Sequence, residues 1–225
     1  MDFLAIEKKV AFSPPVQEHK IMTMDPDKRV RVLSAAMEEF LKGYSKANTD
    51  VIVEQAGISK GLLFHYFGSK KRLFLFLLQY AIDIVSTEYA KAVAPNKDFI
   101  ETIWDISMIA VDLLTTMSLL LRFMGYGVLT LREEFPEEAS RFANPLDRLF
   151  ERARRQMDHG AFREDIDVEK ASDMIIWTIH GYNHRIAQYD WRQEDWNRQI
   201  DKIKGELREY LDLLRKVLYK DGNEV

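Results

Sequence analysis

Near the end of the chain, apolar side chains recur at alternating steps of four and three: Trp196, Ile200, Ile203, Leu207, Tyr210, Leu214 and Val217. That two-in-seven spacing draws a narrow stripe along one helix, which needs a partner helix packed at a shallow angle, as in coiled coils and four-helix bundles. The preceding helical segment offers a matching stripe through Ala171, Ile175, Ile179, Tyr182 and Ile186. The two stripes can pack within one chain, or they can meet their copies in a second subunit. Because closed two-fold dimers are the commonest soluble assembly, the expectation is a homodimer, with Ile175, Ile179, Tyr182, Ile186, Leu207, Tyr210, Leu214 and Val217 as interface candidates.

The rest of the chain has the same character, since proline and glycine divide it into segments of helical spacing with little period-two alternation. Asp25 before Pro26 reads as a cap and first turn, followed by Val30, Leu33, Met37 and Phe40, and Gly43 ends the run. A short helix over 49 to 56 stops at Gly57, where a left-handed residue is tolerated. Ser59 caps a third helix ending at Gly68, and Ser69 caps a fourth from 70 to about 94. A long helix is expected from 99 to about 124, with a hinge at Gly125-Tyr126-Gly127. Asn144-Pro145 opens another that runs to Gly160, and a helix over 168 to 187 follows the polar loop 163 to 167.

The charge distribution matters more than its total. The 225 residues carry a net charge of −4. Between Lys20 and Arg72, however, ten Lys and Arg face six Asp and Glu, giving +4 there and −8 elsewhere. Local positive charge is what phosphate neutralisation needs. The chain has no cysteine, which excludes disulfides, thiolate metal sites and thiol nucleophiles and suits a cytoplasmic protein. The apolar run 106 to 121 is interrupted by Asp112 and too short for a membrane span. Residues 1–24 mix charges with Pro14-Pro15, unlike a secretion signal, and are expected to form a flexible arm.

Helix, short helix, Gly57-Ile58 turn and third helix follow the order of a helix-turn-helix, whose third helix enters the major groove. In the third helix, Ser59-Lys60-Gly61-Leu62-Leu63-Phe64-His65-Tyr66-Phe67, Leu63 and Phe67 would point inward, with Phe64 as a further candidate anchor. Lys60, Gly61, Leu62, His65 and Tyr66 would then face the groove and its walls. These residues resemble the TetR family of bacterial regulators, in Ala35-Ala36, Phe40, Gly43-Tyr44, Ala56-Gly57-Ile58-Ser59-Lys60-Gly61, His65-Tyr66-Phe67 and Ser69-Lys70.

The resemblance covers about 25 to 80. It implies phosphate contacts from Thr49, Tyr66 and Lys70, with Ser59 and Gly61 at the helix start and base reading by Lys60, Leu62 and His65. Leu62 and Phe64 stand where relatives commonly carry threonine and tyrosine, so two hydroxyl contacts are missing, and Leu62 can instead meet a thymine methyl. The implied fold is all-α: a three-helix DNA-binding domain over 25–70, then a helical-bundle ligand-binding and dimerisation domain over 71–225.

Soft, bulky residues on the middle helices are the candidates for lining a ligand site: Trp104, Met108, Met117, Phe123, Met124, Tyr126, Phe150 and Trp177. The same residues serve equally as core. The resemblance implies a small effector, and these linings point to a largely apolar one. His180 and His184 share a helix face but lack a third ligand, and Gly181 stands where a zinc protease needs glutamate, so they are read as packing or effector contacts. The acidic loop 164 to 167 lacks the pattern of a calcium site. No nucleotide loop or nucleophile elbow occurs, so no enzymatic activity and no cofactor are expected. The reading is a cytoplasmic, ligand-responsive repressor acting on palindromic double-stranded DNA. Its rival is a helical ligand-binding or scaffolding protein whose DNA module is inactive.

Overall fold

The computed structural model describes residues 7, 9–10, 12–140, 142, 145–187 and 196–220. The side chains of 145–147, 184, 186, 187 and 196–198 lie outside that description. Nine helices longer than one turn occur among the described residues: α1 (Pro26–Phe40), α2 (Thr49–Ala56), α3 (Lys60–Phe67), α4 (Lys70–Ala90), α5 (Phe99–Thr116), α6 (Ser118–Glu134), α7 (Pro145–Gln156), α8 (Val168–Ala187) and α9 (Trp196–Leu218). Described backbone pairing outside the helices is limited to isolated bridges, Lys97 with Met157 and Phe162 with Tyr219, so the fold is all-α.

Local chemistry accounts for the ends of the first helices. The Asp25 carboxylate accepts from Lys28 N at 3.0 Å, Ser59 Oγ from Leu62 N at 3.2 Å, and Ser69 Oγ from Arg72 N at 3.2 Å, satisfying first-turn donors. Gly57 (φ +66°) and Gly68 (φ +72°) occupy the left-handed turns that bracket α3, as their positions required.

By packing, the chain forms two compact units, Met1–Glu88 with Leu113–Pro145, and Tyr89–Asp112 with Leu146–Val225. In the first, Phe74 of α4 meets Phe40 of α1 at 5.2 Å, Phe123 of α6 at 5.8 Å and Tyr44 at 5.3 Å between ring centroids. Edge-on aromatic pairs of this kind contribute beyond their buried area. Leu73, Leu77 and Leu78 are buried beside Phe74. The apolar start of α4 thus belongs to the same core as the three-helix module.

The second unit closes on charge as well as on apolar area. Arg215 near the end of α9 donates to both Asp98 oxygens at 2.9 and 3.0 Å and to Glu101 at 2.9 Å, pinning the start of α5. Ile175, Ile179 and Tyr182 of α8 are buried, as are Ile203, Leu207 and Leu211 of α9, and Tyr182 Oη donates to Ile203 O at 3.0 Å.

Two expectations change. The segment expected to be a frayed arm is ordered where described: Pro14–Gln17 and Lys20–Thr23 form single helical turns, and Val16 and Ile21 are fully buried. Apolar positions scattered over a proline-rich stretch carry no periodicity, so burial there has no sequence signature. The expected hinge at Gly125 and Gly127 lies inside α6, and the chain bends at Met117 instead (φ −136°, ψ 40°).

Gly127 is a packing residue. A Cβ there would come within 2.9 Å of Leu78 Cδ1, whereas one at Gly125 would meet nothing within 4 Å. Gly125→Ala is therefore expected to raise stability by about 0.5–1 kcal/mol, through reduced backbone freedom in a helix. Gly127→Val is expected to lower it by about 1–3 kcal/mol through overpacking. Urea unfolding of both variants checks this; a hinge at this glycine pair would instead make both substitutions unfavourable.

Candidate nucleic-acid interface

The third helix is eight residues long and only Leu63 and Phe67 are buried along it, so its position depends on two anchors. Lys60, Gly61 and His65 are exposed, and Leu62 and Tyr66 half-buried, which leaves on the surface the set expected to face DNA. Gly61 has nothing within 4 Å of a built Cβ, leaving room for close approach of another backbone. The His65 and Tyr66 rings meet edge-on at 5.5 Å.

Around this helix the structure adds groups that sequence reasoning missed. Lys60 Nζ lies 2.7 Å from the Asp50 carboxylate on α2. Lys70 Nζ donates to Ser45 O at 3.2 Å and sits 5.0 Å above the Tyr44 ring. Glu39, buried at the end of α1, accepts from Asn48 N at 3.1 Å and from Lys42. Burial raises its proton affinity, but these hydrogen bonds outweigh that and hold the carboxyl below its usual value. The ionised group thereby fixes the turn that presents half-buried Thr49 at the start of α2. Apart from Glu39 with Lys42, three residues apart, none of these pairings follows from spacing, because each joins residues on different elements. The only signal was the presence of acidic residues within a net basic segment.

The ligand candidates divide between the two units. Met117, Phe123, Met124 and Tyr126 belong to the first, and Trp104, Met108, Phe150, Trp177 and His180 to the second. Phe123 is a core residue, and Tyr126 Oη accepts from Tyr44 N at 2.6 Å. Trp104 and Met108 are half-buried, the former beneath the Arg208 guanidinium at 5.4 Å. Phe150 is buried and meets the His180 ring at 5.5 Å, whereas Trp177 is 66% exposed. The side chains of His184 and Ile186 lie outside the described residues. Among the described residues no group of three or more His, Cys, Asp or Glu could hold a metal. A cavity of about 740 Å³ lies in the first unit, beside the third helix, lined by His19, Tyr66, Phe67, Phe76 and Gln79 among others.

The dimer candidates also divide. Ile175, Ile179, Tyr182 and Leu207 are buried within the second unit, Leu214 is partly covered, and Tyr210 and Val217 are exposed. Exposed Met174, Trp177 and Leu213, absent from the sequence-derived set, lie beside them. The stripe read at steps of four and three drifted across the helix surface, because Leu211 and Leu218, one position further on, face the core.

These features define a DNA-binding module of the helix-turn-helix class. Residues 32–77 match the family model for bacterial regulatory proteins of the tetR family, so this part of the chain is similar to that family's DNA-binding segment. It is similar to the HTH-type transcriptional activator FasR of Mycolicibacterium smegmatis, with 36% identity over 73 residues, 32% of this chain and 33% of FasR. The match thus spans about a third of that relative. The fold is similar to that of PfmR, a TetR family regulator from Thermus thermophilus, with a TM-score of 0.57 and 23% identity over 83% of this chain and 97% of PfmR. It is likewise similar to the ketosteroid regulator KstR2 of Mycobacterium tuberculosis, with a TM-score of 0.57 and 18% identity over 86% of this chain and 96% of KstR2.

The Asp50–Lys60 pair sets an electrostatic threshold at this surface. Asp50→Asn is expected to tighten binding to duplex DNA about two- to fivefold at low salt, the range an exposed ion pair is worth. The gain should fade as salt screens it. Fluorescence anisotropy at two salt concentrations reads both effects.

Proposed function

We propose that this chain is a cytoplasmic, ligand-responsive transcription regulator. It binds palindromic double-stranded DNA as a homodimer and represses until a small, largely apolar effector is bound. The observation that carries the reading is α3. Anchored by Leu63 and Phe67 alone, it leaves Lys60, Gly61, Leu62, His65 and Tyr66 outermost, beside Thr49 and Lys70. In such a module the helix lies in the major groove, side chains at its start meet base edges, and the flanking residues hold phosphates. Two copies would place their α3 helices in successive major grooves, roughly 34–36 Å apart.

The exposed face of the second unit supports the dimer. Met174 and Trp177 on α8, and Tyr210, Leu213 and Val217 on α9, are large apolar residues in solvent. Tyr182 and Tyr210 approach to 5.9 Å, and Arg185 meets Glu206 at 2.5 Å, so the two helices present this face side by side. Several large apolar residues left in solvent on two adjacent helices support an interface there. Gly181 on α8 carries no side chain to hold a partner helix away and has nothing within 4 Å of a built Cβ.

For the effector, half-buried Trp104 and Met108 are apolar groups in the second unit with surface left to cover. KstR2 is described as a ketosteroid regulator, and an apolar effector of that breadth suits aromatic and methionine linings. FasR is an activator, so a promoter-fusion assay with and without the regulator tests the sign of the response.

Footprinting with the purified chain identifies protected duplexes, and titrating affinity against salt tests the reading. Binding should weaken steeply with salt, and Lys70→Ala should reduce the log–log slope by about one. Undetectable or salt-independent binding would favour the scaffolding alternative, for which the closed Lys60–Asp50 and Lys70–Ser45 contacts speak. Independently, Leu213→Glu is expected to shift sedimentation from dimer to monomer and to abolish tight operator binding, while an isolated Lys60→Ala leaves the dimer intact.

A further inference from the structure

We infer that the segment 12–23 is a strap that positions the recognition helix, with His19 as its positioning residue; this rests on the DNA-binding reading above. The strap is anchored at both ends on elements other than α3. At one end Ser13 N and Oγ donate to Asp83 Oδ2 on α4 at 2.9 and 2.7 Å, and Gln79 holds the other Asp83 oxygen at 2.8 Å. The Phe12 ring stacks on Tyr80 of α4 at 5.2 Å.

At the other end, Arg29 of α1 donates to Met22 O and Met24 O at 3.1 and 2.9 Å. It also makes a buried pair with Glu7 at 2.6 Å. Tyr80 Oη donates to the same Glu7 at 2.8 Å, and burial first, then the Glu7 charge, pushes that hydroxyl up and keeps it a donor. Val16 and Ile21, fully buried, fasten the middle.

Between these anchors the chain crosses the end of α3. The His19 ring stacks on Phe67 at 5.1 Å with 22° between the planes, and meets Phe76 of α4 at 4.4 Å. Phe67 and Phe76 are themselves 5.4 Å apart, so His19 completes a three-ring cluster around one of the two anchors of the recognition helix. His19 Nδ1 accepts from Ile21 N at 3.2 Å, which requires that nitrogen unprotonated, and burial, then Lys20, lower the imidazole's proton affinity. The ring is thus fixed at its edge and packed on its face.

The mechanical consequence is specific. A helix of eight residues held by Leu63 and Phe67 can pivot about Leu63 if the packing of Phe67 is loosened. A pivot displaces Lys60 and His65 relative to any groove they enter. His19 does this without contacting DNA, so its effect is on placement and leaves the count of phosphate contacts unchanged.

The test uses the full-length chain and a fluorescein-labelled duplex carrying the site that wild type protects. His19→Ala is expected to weaken binding about tenfold or more, the value of one well-placed base contact. The measurement is made at a temperature where circular dichroism shows the variant fully folded, and the salt slope should equal that of wild type. His19→Phe, which keeps the ring stack, is expected to restore affinity to within about twofold. Hydrogen exchange at the amides of Phe67 and Gly68, read without DNA, should accelerate in His19→Ala and recover in His19→Phe. Wild-type affinity in His19→Ala, a slope reduced by about one as for a lost phosphate contact, or unchanged exchange at the end of α3 would each overturn the inference. Failure of wild type to bind any duplex would refute the DNA-binding reading, whereas the exchange experiment would still decide the strap.

Discussion

The first unit is organised around the Phe74 ring. It faces Phe40 of α1, Phe123 of α6 and Tyr44 in the turn before α2, and Phe135 closes on it at 6.0 Å. Aromatic rings packed edge to face have few alternative arrangements in a dense core. A shift of α4 would therefore have to carry α1, α6 and the Tyr44 turn along with it or open a cavity. Lys70, the phosphate candidate at the start of α4, is one turn from that ring, and the same helix carries the chain from the first unit into the second at Glu88–Tyr89. A chain with this core has no rigid recognition module separable at residue 70. The division expected at residue 70 follows motifs along the sequence, whereas the packing boundary cuts α4 near its other end.

Sequence reading worked best where a structural property is local. Helix ends capped by Asp25, Ser59 and Ser69, and left-handed turns at Gly57 and Gly68, depend on a few consecutive residues, so their chemistry is written in the chain. The outward set on α3 was legible for the same reason, since helical spacing places Leu63 and Phe67 on one side and Lys60, His65 and Tyr66 on others. What spacing cannot supply is which of two partners a face meets. The α9 stripe illustrates this: Ile203 and Leu207 face the core together with Leu211, whereas Tyr210 and Val217 are left in solvent with Leu213. Gly127 shows a second limit. A glycine in a helix reads as weakness, and only the position of Leu78 reveals that it is a place of close packing.

The strap and the ion pairs were invisible for a third reason, sequence distance. Ser13 with Asp83, Glu7 with Arg29 and Tyr80, and His19 with Phe67 join parts of the chain that no local pattern relates. Removing one partner of a buried pair leaves an uncompensated charge and costs more than the pair contributed. For Glu7 and Arg29 this makes the pair an all-or-none fastening. Its presence depends on the N-terminal segment being folded back, and the same segment brings His19 to the recognition helix. Anchoring and positioning are thus properties of one piece of chain.

The pre-engaged lysines bear on how such a module would exchange its own contacts for DNA. Lys60 and Asp50 are both more than half exposed, so their pair is worth about 0–1 kcal/mol and salt weakens it. Phosphate contacts made by a lysine gain in addition from the release of condensed counterions, which exposed protein carboxylates do not hold in comparable number. Releasing Lys60 from Asp50 towards a base edge would therefore cost little, while a phosphate contact such as that expected of Lys70 would bring a counterion gain that diminishes as salt rises. Away from DNA so exposed a pair adds little to the placement of α3, whereas His19 and Phe76 pack around Phe67 at its other end. With Phe67 packed in this way the end of α3 is steadied in advance of any groove, so less conformational freedom remains to be lost on binding.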